Sequence, residues 1–266
     1  QAVSGLALDW KRFVTWQTRD FMETEIRAVR AFCPDIPVTT NMMGTFPETD
    51  SPKIAEKLDV AALDLYPEWG REAEEVIASE AGLEYDAVRS WKRKPFLLME
   101  TTPSRTNWAA VGKLKEPGIH LAGCLQAVAH GADSVQYFQW RKSRGAYEKF
   151  HGAVIGHCGH EHTRVFREAE ETGRMLEHLR EVAGAECPSQ TAILYDWNNR
   201  WALEGAKGPR EEKQFPETIL EHYRALRRYG VTVDLADEEQ SFSPYRLIAA
   251  PMLYLIKPGL KEKLEE

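Results

Sequence analysis

The chain has 266 residues, of which 43% are hydrophobic and 28% charged, and 34 Lys and Arg against 41 Asp and Glu give a formal net charge of −7. This composition is typical of a soluble globular protein with one large domain or two smaller ones. The acidic excess and the mixing of both charge signs argue against nucleic acid as a partner. The longest apolar run, residues 247–256, is too short for a membrane span and contains a proline, so we expect no membrane partner.

The first part of the chain alternates helical and strand-like segments. Asp9 is a good N-cap for an amphipathic helix that continues to Phe32 with Arg19 and Glu23 on its polar side. Four short apolar runs then predict strands buried on both faces, at residues 36–43, 60–65, 95–99 and 134–140. Helical or loop stretches at 51–58, 84–92 and 118–131 separate them. This alternation predicts parallel βα units, in a barrel or a doubly wound sheet.

A second α/β unit follows a helix predicted at 161–182 and a breaker stretch at 184–188. Its predicted strands are residues 191–195, 231–235 and 247–253, its helix is 215–228, and the polar segment 205–213 is expected to be an exposed loop. We therefore divide the chain into domains 1–187 and 188–266.

The spacing of the four cysteines indicates whether they form disulfides or bind a metal. Cys33, Cys124, Cys158 and Cys187 are far apart and form no CxxC motif, which argues against a disulfide framework or a zinc ribbon. Reduced thiols in the cytoplasm are the expectation.

The segment PFLLMETTPSRTNW, residues 95–108, carries the clearest chemical signal. Its apolar strand delivers Glu100 at the carboxyl end, which is where α/β enzymes place catalytic groups, although Glu100 could also pair with a nearby arginine. Trp108 follows on a loop and could either belong to the core or offer a flat apolar face to a sugar ring.

The strand predicted at 134–140 leads into a second polar stretch. It ends in Gln139, Trp140 and Arg141, and Glu148 and His151 follow three residues apart. Singly these are ordinary loop charges, but together they supply donors and acceptors for hydroxyl groups. His151, His157, Cys158, His160 and His162 also suggest a metal site. Their spacing fits no known zinc pattern, so we expect them to cap a helix starting near Glu161 and to bind no metal.

Several long blocks resemble one known family in the same order. They are DWKRFVTWQTRDFMETEI, VTTNMMG, DLYP, PFLLMETTPSRTNW, GIHLAGCLQAVAHGADSVQYFQWRKSRGAYEKFHGAV and GHEHTRVFREAEETG. Together they resemble the β-galactosidases of glycoside hydrolase family 42. The resemblance implies strands five to eight of a (β/α)₈ barrel, followed by the beginning of a trimerisation domain related to class I glutamine amidotransferases.

The resemblance also implies roles for individual residues. Glu100 falls on the catalytic nucleophile, Trp108 on a tryptophan that contacts the sugar, and Tyr66 on the tyrosine that closes the sixth strand. Glu148 and His151 fall on residues that bind galactose hydroxyls. Leu65 departs from the family, whose members often carry Asn or Ser in that D-x-Y-P segment.

The implied reaction is retaining hydrolysis of terminal β-D-galactosides, without a required cofactor and in a homotrimer when complete. The proton-donating Glu and the cysteine zinc site of some members are expected in four βα units upstream of this chain, and the second domain is expected to be cut short. We therefore expect the isolated chain to be poorly soluble and inactive. The alternatives are a non-catalytic carbohydrate-binding fragment or pseudoenzyme, and a related glycosidase that acts on arabinosides or fucosides.

Overall fold

A computed structural model describes residues 4–208 and 210–265, and the first element in these ranges is a long helix. Helix α1 runs from Ser4 to Arg30. The prediction that Asp9 caps it was wrong, because residues 6–8 are good helix formers and the Asp9 carboxylate accepts a hydrogen bond from Arg12, one turn later, at 3.1 Å. Met22 and Ile26 are buried, whereas the aromatic side chains of the expected packing face, among them Trp10 and Phe21, are exposed.

Four parallel strands form the first sheet in the order β1-β2-β3-β4. They are β1 (Asn41–Met42), β2 (Ala62–Asp64), β3 (Phe96–Thr101) and β4 (Ala132–Tyr137). The predicted parallel α/β arrangement is confirmed. Strand β1 is much shorter than the predicted 36–43 because, among the described residues, it pairs with β2 alone and Pro37 has no N–H. Strand β4 ends before Gln139, whose backbone bonds instead to Gly152 and Val154.

Helices α2 (Ser51–Ala55), α3 (Glu74–Lys92), α4 (Ile119–Ala129) and α5 (Arg164–His178) follow these strands, with 3-10 turns at Tyr147–Phe150 and Arg180–Val182. Helix α3 begins ten residues before the predicted 84–92. Helix α5 begins later than predicted because the Thr163 side chain accepts a hydrogen bond from the Phe166 amide at 3.2 Å and so caps it. The core between sheet and helices contains Leu63, Phe96 and Leu98.

The second sheet is also parallel, with strands β5 (Thr191–Leu194), β6 (Asp234–Ala236) and β7 (Leu247–Ala249) in the order β6-β5-β7. Helix α7 (Phe215–Arg228) has the predicted bounds, and α8 is Leu260–Glu265. Strand β6 begins later than predicted and β7 ends earlier, since Pro251 follows it in a turn.

Helix α6 (Trp197–Gly205) was not predicted. The Asp196 side chain caps it by accepting from the Asn199 amide at 2.9 Å, and Trp197 and Trp201 share its buried face. The segment 205–213, predicted to be a loop, follows as a mostly exposed stretch after Gly205, while Pro209 lies outside the described residues.

Helix α3 joins the two units. One of its faces, with Ala81, Tyr85 and Val88, packs on the first sheet, and the opposite face, with Leu83 and Ala87, packs on residues of the second. No helix in the described part of the chain is long and apolar enough to cross a membrane.

Candidate active site

Five predicted site residues lie at or beyond the carboxyl ends of β2, β3 and β4. Glu100 is the next-to-last residue of β3, and Tyr66 lies two residues beyond β2. Trp108 lies on the loop after β3, Glu148 in the 3-10 turn beyond β4, and His151 directly after that turn. Because parallel strands end at the same edge, the fold brings all five to one place.

Glu100 and Tyr66 are in direct contact. The Tyr66 hydroxyl donates a hydrogen bond to Oε2 of Glu100 at 2.6 Å. Burial, and then the bond to Glu100, raise the pKa of Tyr66 well above its usual value, so this hydroxyl stays protonated. A phenol that donates to a carboxylate favours the ionised form of that carboxylate and fixes its orientation.

Aromatic rings surround this pair. The Tyr66 ring meets Trp108 edge-on with centroids 5.0 Å apart, and His151 lies 5.5 Å from Tyr66 and 5.3 Å from Trp108. Trp108 is 57% exposed although it touches both rings, so part of its surface faces solvent. An open aromatic face next to a carboxylate suits the C–H side of a sugar ring.

His151 is fully buried and held in one orientation. Its Nδ1 lies 3.1 Å from Oδ1 of Asn107, whose amide nitrogen donates to the Tyr147 carbonyl at 2.6 Å. An acceptor opposite Nδ1 places the ring proton there and leaves a lone pair on Nε2. Burial lowers the pKa of His151 more than the charge of Glu148 raises it, which keeps the ring neutral.

Four buried polar atoms in this region have no hydrogen-bond partner: Asp64 Oδ1, Gln139 Nε2, Glu148 Oε2 and His151 Nε2. Gln139 is oriented by Ser143, which donates to its Oε1 at 3.2 Å and leaves the amide nitrogen as a donor. Unpartnered buried polar atoms are costly in a folded protein. Their concentration here indicates a site completed by a polar ligand that both donates and accepts hydrogen bonds.

Asp64 adds a second carboxyl beside Glu100. Asn41 on β1 donates to its Oδ2 at 2.5 Å. Burial, and secondarily the charge of Glu100, raise the pKa of Asp64 to about 6, against the effect of the Asn41 bond.

Close contact between two loops holds the site together. The Gly152 amide donates to the Arg105 carbonyl at 2.7 Å. A Cβ at position 152 would overlap Thr102, Ser104 and that carbonyl, so only glycine allows this approach. The loop that carries Trp108 and the segment that carries His151 are thereby fixed against each other.

The histidine-rich stretch takes no part in this site apart from His151. His157 contacts the Ser143 carbonyl, His160 and His162 are exposed, and the cap of α5 is Thr163, not a residue near Glu161. Within residues 4–208 and 210–265, no three His, Cys, Asp or Glu side chains are grouped so that they could hold a metal ion.

The sequence alone predicts no site role for Asp64 or Asn107, and it indicates Gln139 only as part of a polar strand end. Asp64 and Gln139 stand at strand ends, which is a signal, but only the fold shows their unpartnered atoms beside Glu100. Asn107 is an ordinary loop residue until its contact with His151 is seen.

Comparison with known proteins identifies the family to which this chain is similar. Residues 1–179 match the sequence model of the glycoside hydrolase family 42 β-galactosidases, and residues 189–266 match that of the β-galactosidase trimerisation domain. Beta-galactosidase BglY of Alicyclobacillus acidocaldarius is 54% identical over 99% of this chain and 39% of its own length. Beta-galactosidase GanA of Bacillus subtilis is 47% identical over 98% of this chain and 40% of its own.

Solved structures give the same result. The β-galactosidase of Rahnella sp. R3 superposes with a TM-score of 0.97 at 47% identity, over 98% of this chain and 39% of its own. The β-galactosidase of Bacillus circulans sp. alkalophilus superposes with a TM-score of 0.93 at 40% identity, over 98% of this chain and 38% of its own. The chain thus spans about two fifths of the length of these relatives.

Proposed function

The chain belongs to the β-galactosidases of glycoside hydrolase family 42, and from this premise we propose that the complete protein hydrolyses terminal β-D-galactosides with retention, using Glu100 as the nucleophile. One observation carries the assignment. Glu100 stands at the carboxyl end of a parallel strand, bonded to the Tyr66 hydroxyl at 2.6 Å, beside four buried polar atoms that lack partners.

The first sheet is interpreted as half of a (β/α)₈ barrel within a domain that ends near residue 187. Four parallel strands with helices between them, whose chemistry lies at their carboxyl ends, match strands five to eight of such a barrel. Residues 188–266 are then the start of the trimerisation domain, and a homotrimer is the assembly that we propose for the complete protein.

The reaction is a double displacement. Glu100 attacks the anomeric carbon and forms a glycosyl ester, and a second carboxyl about 5 to 5.5 Å away protonates the leaving oxygen and then activates water. We assign that second carboxyl to the part of the protein outside this chain. Tyr66 holds the Glu100 carboxylate in place before the attack, since its hydroxyl proton stays on the phenol.

Galactose hydroxyls would meet complementary atoms. The neutral His151 Nε2 and Glu148 Oε2 accept hydrogen bonds, and Gln139 Nε2 donates one. The exposed face of Trp108 covers the C–H side of the ring. The reaction needs no cofactor, and the zinc of some family members is assigned to the segment outside this chain. The four cysteines are unpaired in the structure, and we place the protein in the cytoplasm.

The test is chemical rescue in the complete protein with a nitrophenyl β-galactoside. Glu100→Gly should lose turnover by several orders of magnitude, and added azide should restore part of it. The product should be α-galactosyl azide, because azide enters on the face that Glu100 occupied. A matched Glu186→Gly variant, altered at an exposed position, should keep the parent rate.

Other results would contradict the proposal. Near-parent turnover without azide would exclude Glu100 as the nucleophile. Failure of the complete parent protein to cleave any glycoside would indicate a carbohydrate-binding pseudoenzyme. Preference for a nitrophenyl arabinoside or fucoside would indicate the same reaction on another substrate.

A further inference from the structure

Asp64 and Glu100 are neighbours across two strands of the first sheet. The register of β2 and β3 pairs Asp64 with Glu100 directly, and both residues stand at the carboxyl ends of their strands. Two carboxyl groups therefore share the edge at which the proposed reaction takes place.

Neither carboxyl is neutralised within the described part of the chain. No Lys, Arg or His lies within ion-pair distance of Asp64 or Glu100. Glu100 accepts from Tyr66, and Asp64 accepts through Oδ2 from Asn41, while Asp64 Oδ1 is buried without a partner. A carboxyl that keeps one buried oxygen unpaired beside a second carboxyl is better accommodated with a proton than without one.

The charge of Lys142 acts on His151, and the other groups that face this pair are neutral or acidic. Beyond β2 lies the Tyr66 phenol, the 3-10 turn contributes the Glu148 carboxylate, and after it comes His151, which burial keeps neutral. From β1 comes only the Asn41 amide. The Asp64 carboxyl is the one nearest to the proposed nucleophile along the sheet.

We propose, building on the assigned role of Glu100, that Asp64 is a positioning residue for the reaction: its carboxyl lies beside Glu100 and sets the charge next to the nucleophile. Glu100 accepts the hydrogen bond of Tyr66, and Asp64 holds a proton at mildly acid pH. At neutral pH Asp64 ionises, and two negative charges then lie side by side.

The second charge acts through Glu100. It repels the Glu100 carboxylate and so favours its conversion into the neutral glycosyl ester, and it attracts the positive charge that develops on the sugar ring. Since the pKa of Asp64 lies at about 6, kcat/KM for galactoside should rise as the pH increases through that value. The coupling is reciprocal: once Glu100 is esterified or replaced by a neutral side chain, Asp64 binds its proton less tightly.

The kinetic test compares Asp64→Asn with the complete parent protein. Asparagine keeps the shape and can still accept from Asn41. At about pH 5 the parent Asp64 is protonated and both proteins should have similar kcat/KM, whereas at about pH 7.5 the variant should be about tenfold slower, the change that one pKa unit of coupling produces. Asp35→Asn, at an exposed position, is the matched control and should follow the parent at every pH. A parent-to-variant ratio that does not change with pH would overturn the proposal.

A second measurement does not depend on turnover. The carboxyl of Asp64 can be titrated by isotope-edited infrared or carbon NMR, with Asp64→Asn identifying its signal. Its pKa should fall in Glu100→Gln relative to the parent, because the neighbouring charge is removed. An unchanged pKa would overturn the proposed coupling between the two carboxyls, whatever the kinetics of Asp64→Asn.

The two proposals fail in different ways. If azide does not rescue Glu100→Gly, the nucleophile is misassigned whatever Asp64 does. If rescue succeeds and the pH profile of Asp64→Asn follows that of the parent, the nucleophile stands and the role of Asp64 is wrong.

Discussion

Two groups of charged side chains in this molecule, one buried and one partly buried, are built in opposite ways. Around Arg89, between α3 and β6, opposite charges meet: the guanidinium donates to Asp234 at 2.7 Å and to Asp86 at 3.1 Å, and it also donates to two backbone carbonyls. Around Glu100, carboxylates face carboxylates and four buried polar atoms have no partner.

The buried Asp86 and the half-buried Asp64 respond accordingly. Burial acts to raise the pKa of Asp86, but the hydrogen bond and charge of His130 and the charge of Arg89 outweigh it, so the pKa falls below its usual value. Burial raises the pKa of Asp64 to about 6, and Glu100 adds to the increase. The charges around Arg89 pair with one another and join the two units. The polar atoms around Glu100 have no such partners and remain available to a ligand.

The largest effect expected is that of Glu100→Gln in the complete protein. Turnover of nitrophenyl galactoside should fall by about four orders of magnitude, roughly 5 kcal/mol in the barrier, because the amide cannot form the glycosyl ester. The urea midpoint should not decrease, since the substitution removes an uncompensated charge. A lower midpoint together with retained turnover would show that Glu100 is a structural residue, like those of the Arg89 group.

Arg89→Met should give the reverse result. It leaves Asp86 and Asp234 buried without their cation, and breaking such a pair costs about 3 to 5 kcal/mol of unfolding free energy. Urea unfolding measures the loss, and kcat/KM of the remaining folded protein should match the parent. The exposed Arg228, which pairs with Glu75, is the control, and Arg228→Met should leave the midpoint nearly unchanged.

Trp108→Ala tests how much binding the open aromatic face provides. We expect kcat/KM to fall by about tenfold or more, on the order of 1 to 2 kcal/mol, with a smaller effect on stability because the side chain is more than half exposed. His151→Ala, at a fully buried position, serves as the comparison and should lower both activity and the urea midpoint. A Trp108 variant that loses stability but binds galactose normally would assign the ring to the core.

The smallest effect is the pH dependence of stability. The pKa of Asp64 is raised in the folded state, so its charged form opposes folding above about pH 6, and protonation relieves this as the pH falls. Asp64→Asn should therefore be more stable than the parent at about pH 7.5, by roughly 1 kcal/mol after allowance for partial exposure, and similar to it below about pH 4.

The contribution of Asp86 to stability changes with pH in the opposite direction. Its lowered pKa contributes stability above its unfolded value of about 4, which is lost as the pH falls through the lower folded value. Thermal unfolding of the parent and of Asp64→Asn across this pH range separates the contributions of Asp64 and Asp86 to stability. A gain in stability for Asp64→Asn that is equal at every pH would contradict the assigned pKa.

Local sequence was sufficient for several features of this protein. Apolar runs alternating with helical stretches indicated parallel strands, and a strand that delivers a carboxylate at its end indicated Glu100 as a chemical group. The parallel strands and the position of Glu100 at a strand end are confirmed, because hydrophobic periodicity is a local property and parallel strands place their ends on one edge in any such fold. Helix α7 was predicted with both ends correct, since its apolar face and its flanking residues are all local.

Tertiary structure decided what depends on distant partners. The length of β1 follows from its pairing with β2, and the end of β4 follows from the backbone bonds between Gln139 and residues 152–154. The aromatic face of α1 is exposed because few residues of this chain pack against it. The placement of Asp64 beside Glu100 is of the same kind. Strand register, burial and unpartnered atoms arise between segments far apart in sequence, so the sequence indicated Glu100 but only the fold placed Asp64 next to it.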